Sequence, residues 1–148
     1  FQVAAALFSL WLPDRYYHPD GFLFRERKWE KGGRFYQRVF HIKAWKGLLP
    51  DGGAAFRRGY RKKKLYDPTP QGLQRFLIES CRAELTHLLA ILPFWVFGFF
   101  APAPVIGLML LYALIVNLPC MIAQRYNRPR IAKVLKRGQR NTMPASGE

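Results

Sequence analysis

The chain has 148 residues, of which 50% are hydrophobic and 16% aromatic, and it carries a formal charge of +15. A membrane protein accommodates both features by placing apolar spans in lipid and basic segments at the headgroups; a nucleic-acid binder would share the charge without needing long apolar blocks. Two cysteines, Cys81 and Cys120, exclude a disulfide framework.

The first block, residues 1–12, has only Gln2 and Ser9 as polar residues. At 1.5 Å per residue it covers about 18 Å, against a hydrocarbon core of about 30 Å. It is therefore expected to be the end of a span whose beginning lies outside the sequence. A cleaved signal peptide fits less well, because no small-x-small site precedes a mature segment.

Residues 13–84 form a basic segment expected at the interface. Phe35, Tyr36, Val39, Phe40 and Ile42 recur near helical spacing, with Arg34, Arg38 and Lys43 between them and Trp45, Leu48 and Leu49 after them. That pattern predicts a helix lying in the membrane surface. Pro50-Asp51-Gly52-Gly53 predicts a turn. Arg57, Arg58 and residues 61–64 are the densest basic cluster, suited to anionic lipid. Pro68 and Pro70 mark the start of a second amphipathic stretch carrying Leu73, Phe76, Leu77, Ser80, Cys81, Glu84 and Leu85.

That stretch runs into the second apolar block, Leu85 to Phe100, which contains Pro93 and crosses a bilayer only by borrowing Thr86 and His87 or by local thinning. Ala101-Pro102-Ala103-Pro104 is too short for a domain, so blocks two and three are expected to form a helical hairpin. The third block, Val105 to Ala123, is free of charge and long enough to span. The basic tail, 124–148, follows.

Charge sets the orientation. Residues 13–86 hold 17 Lys/Arg and 8 Asp/Glu, the tail holds 7 Lys/Arg and only Glu148, and the hairpin core holds no Lys or Arg. Basic loops favour the cytoplasmic side, which places the middle segment and the tail there and the Ala-Pro-Ala-Pro turn outside. The expected fold is thus an all-α, multi-pass integral membrane protein of the cell membrane. It comprises one membrane domain over 1–148, with a partial N-terminal span, interfacial helices and a transmembrane hairpin over 85–123.

Three places could carry chemistry. Glu84 and His87 are three residues apart and share a helix face at the membrane boundary. A histidine beside a carboxylate can act as a general base; alternatively Glu84 is a structural partner for Arg82 or a tail arginine. Asn117-Leu118-Pro119 is the second place. Pro119 frees the carbonyl of Ile115, and Asn117 adds an amide that either faces substrate or bonds a neighbouring helix. The third is Gln124 to Arg130, whose arginines suit phosphate or act as a positive anchor. A single Glu-x-x-His falls short of a helical di-metal site, so no metal is expected. His18-Pro19-Asp20 is read as a turn. No phosphate-binding Gly loop, Gly-x-Ser-x-Gly elbow, zinc spacing or His-x-x-x-x-Asp acyltransferase pattern occurs.

Five stretches, taken together, carry a family resemblance. They are Trp29-Glu30-Lys31-Gly32, Trp45-Lys46-Gly47-Leu48-Leu49-Pro50-Asp51-Gly52, Cys81-Arg82-Ala83-Glu84-Leu85-Thr86-His87, Asn117-Leu118-Pro119 and Gln124-Arg125-Tyr126-Asn127-Arg128-Pro129-Arg130. In this order they resemble the glycosyl-4,4'-diaponeurosporenoate acyltransferases, small bacterial membrane proteins, from about Trp29 to Arg130. The resemblance implies transfer of a fatty acyl group to a sugar hydroxyl of a glycosylated carotenoid or another amphiphilic lipid. It implies no tightly bound cofactor, with an acyl donor such as a coenzyme A thioester as co-substrate. Under it His87 would take the acceptor proton and Glu84 would orient His87. Arg82, Arg128 and Arg130 would meet donor phosphates, Asn117 would face substrate, and Trp45 would hold lipid. Membrane lipids and the carotenoid or glycolipid would be its partners, and nucleic acid would not. The competing expectation is a non-enzymatic accessory subunit that binds carotenoid or lipid within a larger membrane complex.

Overall fold

The computed structural model describes residues 2–49 and 69–142, and all regular structure among them is helical. The five α-helices are α1 (Gln2–Trp11), α2 (Arg34–Phe40), α3 (Ile42–Trp45), α4 (Pro70–Ile91) and α5 (Ala103–Thr142). Short 3-10 helices occupy Asp14–Tyr16, Lys28–Glu30, Lys46–Leu48 and Leu92–Phe99. The expected turn at Pro50–Gly53 and the basic cluster from Arg57 to Lys64 lie outside the described residues.

α4 starts where the prolines place it. Pro70 opens the first turn, where its missing N–H costs nothing, and the Thr69 side chain accepts from Gly72 N at 3.1 Å. The helix ends at Ile91 because Pro93 cannot donate to the carbonyl of Leu89. The chain continues as a 3-10 helix over Leu92–Phe99. The second apolar block is therefore α-helical up to Ile91 and 3-10 beyond it, the change falling at the Pro93 noted in its sequence.

α5 holds 40 residues and includes Pro119 and Pro129 within it. It is the described helix long and apolar enough to cross a membrane. At 1.5 Å per residue it is about 60 Å long, twice a hydrocarbon core. Residues 124–142, expected as a tail, are thus its second half.

The expected interfacial helix over 34–45 is broken. His41 adopts φ 49° between α2 and α3, with the Gln37 side chain accepting from Lys43 N at 3.1 Å. A second left-handed run precedes α2, at Lys31 (φ 49°), Gly32 (φ 67°) and Gly33 (φ 81°). A Cβ on Gly33 would stand 2.8 Å from the Tyr126 carbonyl oxygen, so glycine is required both for the turn and for the approach to α5.

α5 packs along α4 and along the 3-10 helix that follows it, and α1 packs on α4. The buried apolar residues gather around the C-terminal half of α5, called its inner half below. Leu73, Phe76 and Leu77 of α4 meet Ile131 and Leu135. Tyr17 and Phe24 close on Cys81. Tyr36 and Ile42 close on Tyr126, with Trp45 alongside. Residues 13–49 therefore form a folded cap around the α4–α5 pair.

Candidate active site

At the base of the apolar region, α4 and α5 exchange two sets of polar contacts. The upper set is small. His87 Nδ1 lies 2.9 Å from Asn117 Oδ1, and Asn117 Nδ2 donates to the Ala113 carbonyl at 2.8 Å. Because the amide nitrogen is committed to a carbonyl, the amide oxygen faces the ring and Nδ1 must carry the proton. A neutral His87 then has its basic lone pair on Nε2, the atom able to accept a proton.

The lower set is a buried charge network. One Glu84 oxygen accepts from Arg125 Nε at 2.6 Å and the other from Arg128 Nη2 at 2.5 Å. Arg125 also donates to Glu30 at 2.9 Å and to the Leu23 carbonyl at 2.8 Å. Arg128 donates to the Phe24 carbonyl at 2.8 Å and to Ser80. Glu30 receives the Tyr36 hydroxyl at 2.5 Å and Arg27 N at 2.6 Å. Two carboxylates thus face two guanidinium groups, so the desolvated charges cancel.

The network fixes its own protonation states. Burial acts to raise the Glu30 carboxyl, but hydrogen bonds from Tyr36, Arg27 and Arg125 outweigh it and hold it below the usual carboxylate range. Burial, reinforced by the neighbouring Glu30 carboxylate, pushes the Tyr36 hydroxyl well above its ordinary value.

Arg82 belongs to a third group at the end of α1, bonded to Glu79 and Asp14 and lying over the Tyr17 ring at 4.9 Å. Arg130 sits 3.7 Å over the Tyr126 ring, and Trp45 is half-buried, its indole N–H donating to the Phe40 carbonyl at 2.7 Å.

The structure therefore brings His87 and Asn117 together across the two helices, and joins Glu84 to Arg128. Glu84 spends both oxygens on arginines, and Asn117 is the group that fixes the His87 tautomer. Arg82 and Arg128, expected at donor phosphates, are buried against carboxylates, whereas Arg130 forms no ion pair among the described residues. The structural alternative offered for Glu84, a tail arginine, is the one seen, with Arg125 and Arg128 on its two oxygens; sequence reasoning passed over Glu30, Tyr36 and Ser80 as members of the network. The available signal was the place of Glu30 inside a quoted motif, directly after Trp29.

A cavity of about 150 Å³ opens beside the network, lined by Phe24, Glu30, Arg125, Arg128, Lys133 and Lys136 among others; His87 is not in its wall. Among the described residues no three His, Cys, Asp or Glu side chains converge as metal ligands.

Residues 13–137 match the family described as glycosyl-4,4'-diaponeurosporenoate acyltransferase. The chain belongs to this family. Proteins of that name from Staphylococcus aureus strains bovine RF122 / ET3-1 and MRSA252 are each 34% identical over 134 residues, covering 88% of this chain and 81% of theirs. The same protein from strain Newman is 34% identical over 125 residues, 84% of this chain and 75% of its own length. No solved structure matches the chain. Membership in this acyltransferase family makes the chain an enzyme of acyl transfer, and the expectation of a non-enzymatic accessory subunit gives way to it. The family match contains the whole of both polar sets, from Glu30 to Arg128.

Proposed function

We propose that the chain transfers a fatty acyl group from an activated thioester to a hydroxyl of a glycosylated carotenoid or a similar amphiphilic lipid. His87 would be the general base at the inner membrane surface. The observation that carries this is the His87–Asn117 contact, which holds Nδ1 as the donor and leaves Nε2 as the basic atom. In the step, Nε2 takes the acceptor hydroxyl proton as the oxygen attacks the thioester carbonyl. The tetrahedral adduct collapses with loss of the thiolate, which recovers the proton from the imidazolium. Asn117 Oδ1 accepts a stronger hydrogen bond as the ring becomes cationic.

The membrane placement belongs to the same proposal. Residues 85–99, α-helical and then 3-10, reach roughly 25 Å by the two helical rises. They would cross beside 103–123 as a hairpin, with the basic cap and the inner half of α5 in the cytoplasm. His87 would then stand just inside the lipid boundary, where an acyl chain and an amphiphilic acceptor both arrive from the membrane. No tightly bound cofactor is needed; the donor is a co-substrate. Trp45 and the neighbouring aromatics would hold lipid.

His87→Ala in full-length protein reconstituted with lipid is expected to abolish acyl transfer while insertion and the unfolding midpoint persist. Retained activity in that variant would end the proposal. Mass spectrometry of lipids and pigments from cells with and without the gene identifies the acceptor.

A further inference from the structure

The arginines of the inner layer fall into two groups. Arg75, Arg82, Arg125 and Arg128 each pair with a carboxylate. Arg130 does not, and neither does Lys46, among the described residues. Both of these cations are nevertheless held in place, and by the same side chain. Arg130 lies 3.7 Å and Lys46 Nζ 5.2 Å from the centre of the Tyr126 ring, and Lys46 is also fixed by Asn127 Oδ1 at 3.4 Å. The charges can be no farther apart than the sum of the two ring distances.

Tyr126 is fully buried and its hydroxyl has no partner among the described residues, so the ring face is what the residue supplies. An aromatic face attracts each cation and offsets part of the repulsion between them, but it neutralises neither. A phosphate oxyanion would neutralise both and use the donors of each. Position agrees with chemistry. Arg130 is about 10 Å along α5 from Ala123, which puts it in the headgroup layer. It is about 20 Å along the helix from Asn117. That separation is comparable with an extended pantetheine arm between a thioester and its phosphates.

We propose that Lys46 and Arg130, mounted on Tyr126, form a phosphate-binding site that holds the phosphorylated end of the acyl donor. The placement of the thioester rests on the acyl-transfer proposal above; the phosphate site does not. A phospholipid headgroup offers the same chemistry, so the test separates the two sources.

The full chain is placed in nanodiscs of neutral phosphatidylcholine, and binding of coenzyme A is compared with binding of pantetheine, which lacks the phosphates. The expected result is that wild type prefers coenzyme A, and that Lys46→Met with Arg130→Met weakens coenzyme A about tenfold or more, with pantetheine unchanged. Methionine keeps an apolar stem on the ring, and each single variant is measured beside the double in case the double fails to fold. A drop in binding to phosphatidylglycerol vesicles, with coenzyme A affinity unchanged, keeps the phosphate site but assigns it to a lipid headgroup. Unchanged affinity for both overturns it. Repeating the binding in His87→Ala keeps the two proposals apart: loss of catalysis with binding intact leaves the phosphate site standing.

Discussion

Leu108 and Arg128 sit on the same helix, yet the leucine exposes 67% of its surface and the arginine 4%. In water that order would be reversed. Residues 103–118 of α5 present Leu108, Leu111, Tyr112 and Ile115 outward, and in the proposed membrane placement lipid is as apolar as they are, so burial would yield no hydrophobic gain. Residues 123–135 bury Tyr126 and Arg128 beneath the cap formed by residues 13–49, and Ile131 and Leu135 against α4. In that placement one half of the helix is stable because of its solvent, and the other because of its partners. The polar sets follow the same division. His87 and Asn117 meet in the apolar half, while Glu30, Glu84, Arg125 and Arg128 form a charge network in the inner half.

The sharpest way to test this contrast is Glu84→Ala. It leaves Arg125 and Arg128 desolvated without their shared carboxylate and is expected to cost about 3–5 kcal/mol, read as a lower unfolding midpoint in detergent. Normal stability with lost activity would instead make Glu84 a chemical rather than a structural group.

Gly33→Ala comes next, with an expected loss of about 2 kcal/mol or more from the left-handed backbone and the contact with the Tyr126 carbonyl. The same unfolding assay measures it.

Acid should act on the inner half alone. The Glu30 carboxyl is held below its ordinary value of 4.5, so its contribution is present above that pH and is lost as pH falls through the lower folded value. Glu30→Gln should flatten this limb of the stability profile. Tyr36 works in the other direction: its folded value is raised, so its contribution is present below pH 10 and fades as pH rises through the folded value.

The smallest effect is expected at Leu108→Ala, below about 0.5 kcal/mol in bilayers. A large loss there would mean that protein rather than lipid covers that face.

Much of this was legible from local pattern. The start of α4 at Pro70 follows from Pro and Thr chemistry, and the apolar half of α5 from its uncharged length. The continuation of α5 through 124–142 was not, because basic residues past a span satisfy the positive-inside pattern whether or not they are helical. The break at His41 was missed because the apolar spacing carries on across it and a left-handed non-glycine residue leaves little trace in sequence. At the site, spacing on one helix paired Glu84 with His87, whereas in the structure each meets α5: Glu84 a tail arginine and His87 Asn117, both among the alternatives the sequence offered. Spacing within one helix cannot rank such contacts between two.

The sharing of Glu84 between Arg125 and Arg128 has a consequence for biosynthesis. α4 emerges from the ribosome with a carboxylate whose two arginine partners arrive some forty residues later, on α5. Until then its charge lacks the two groups that offset its burial. Maturation is therefore a joint event of the two helices, and a chain stalled or cut between them presents that charge unmatched.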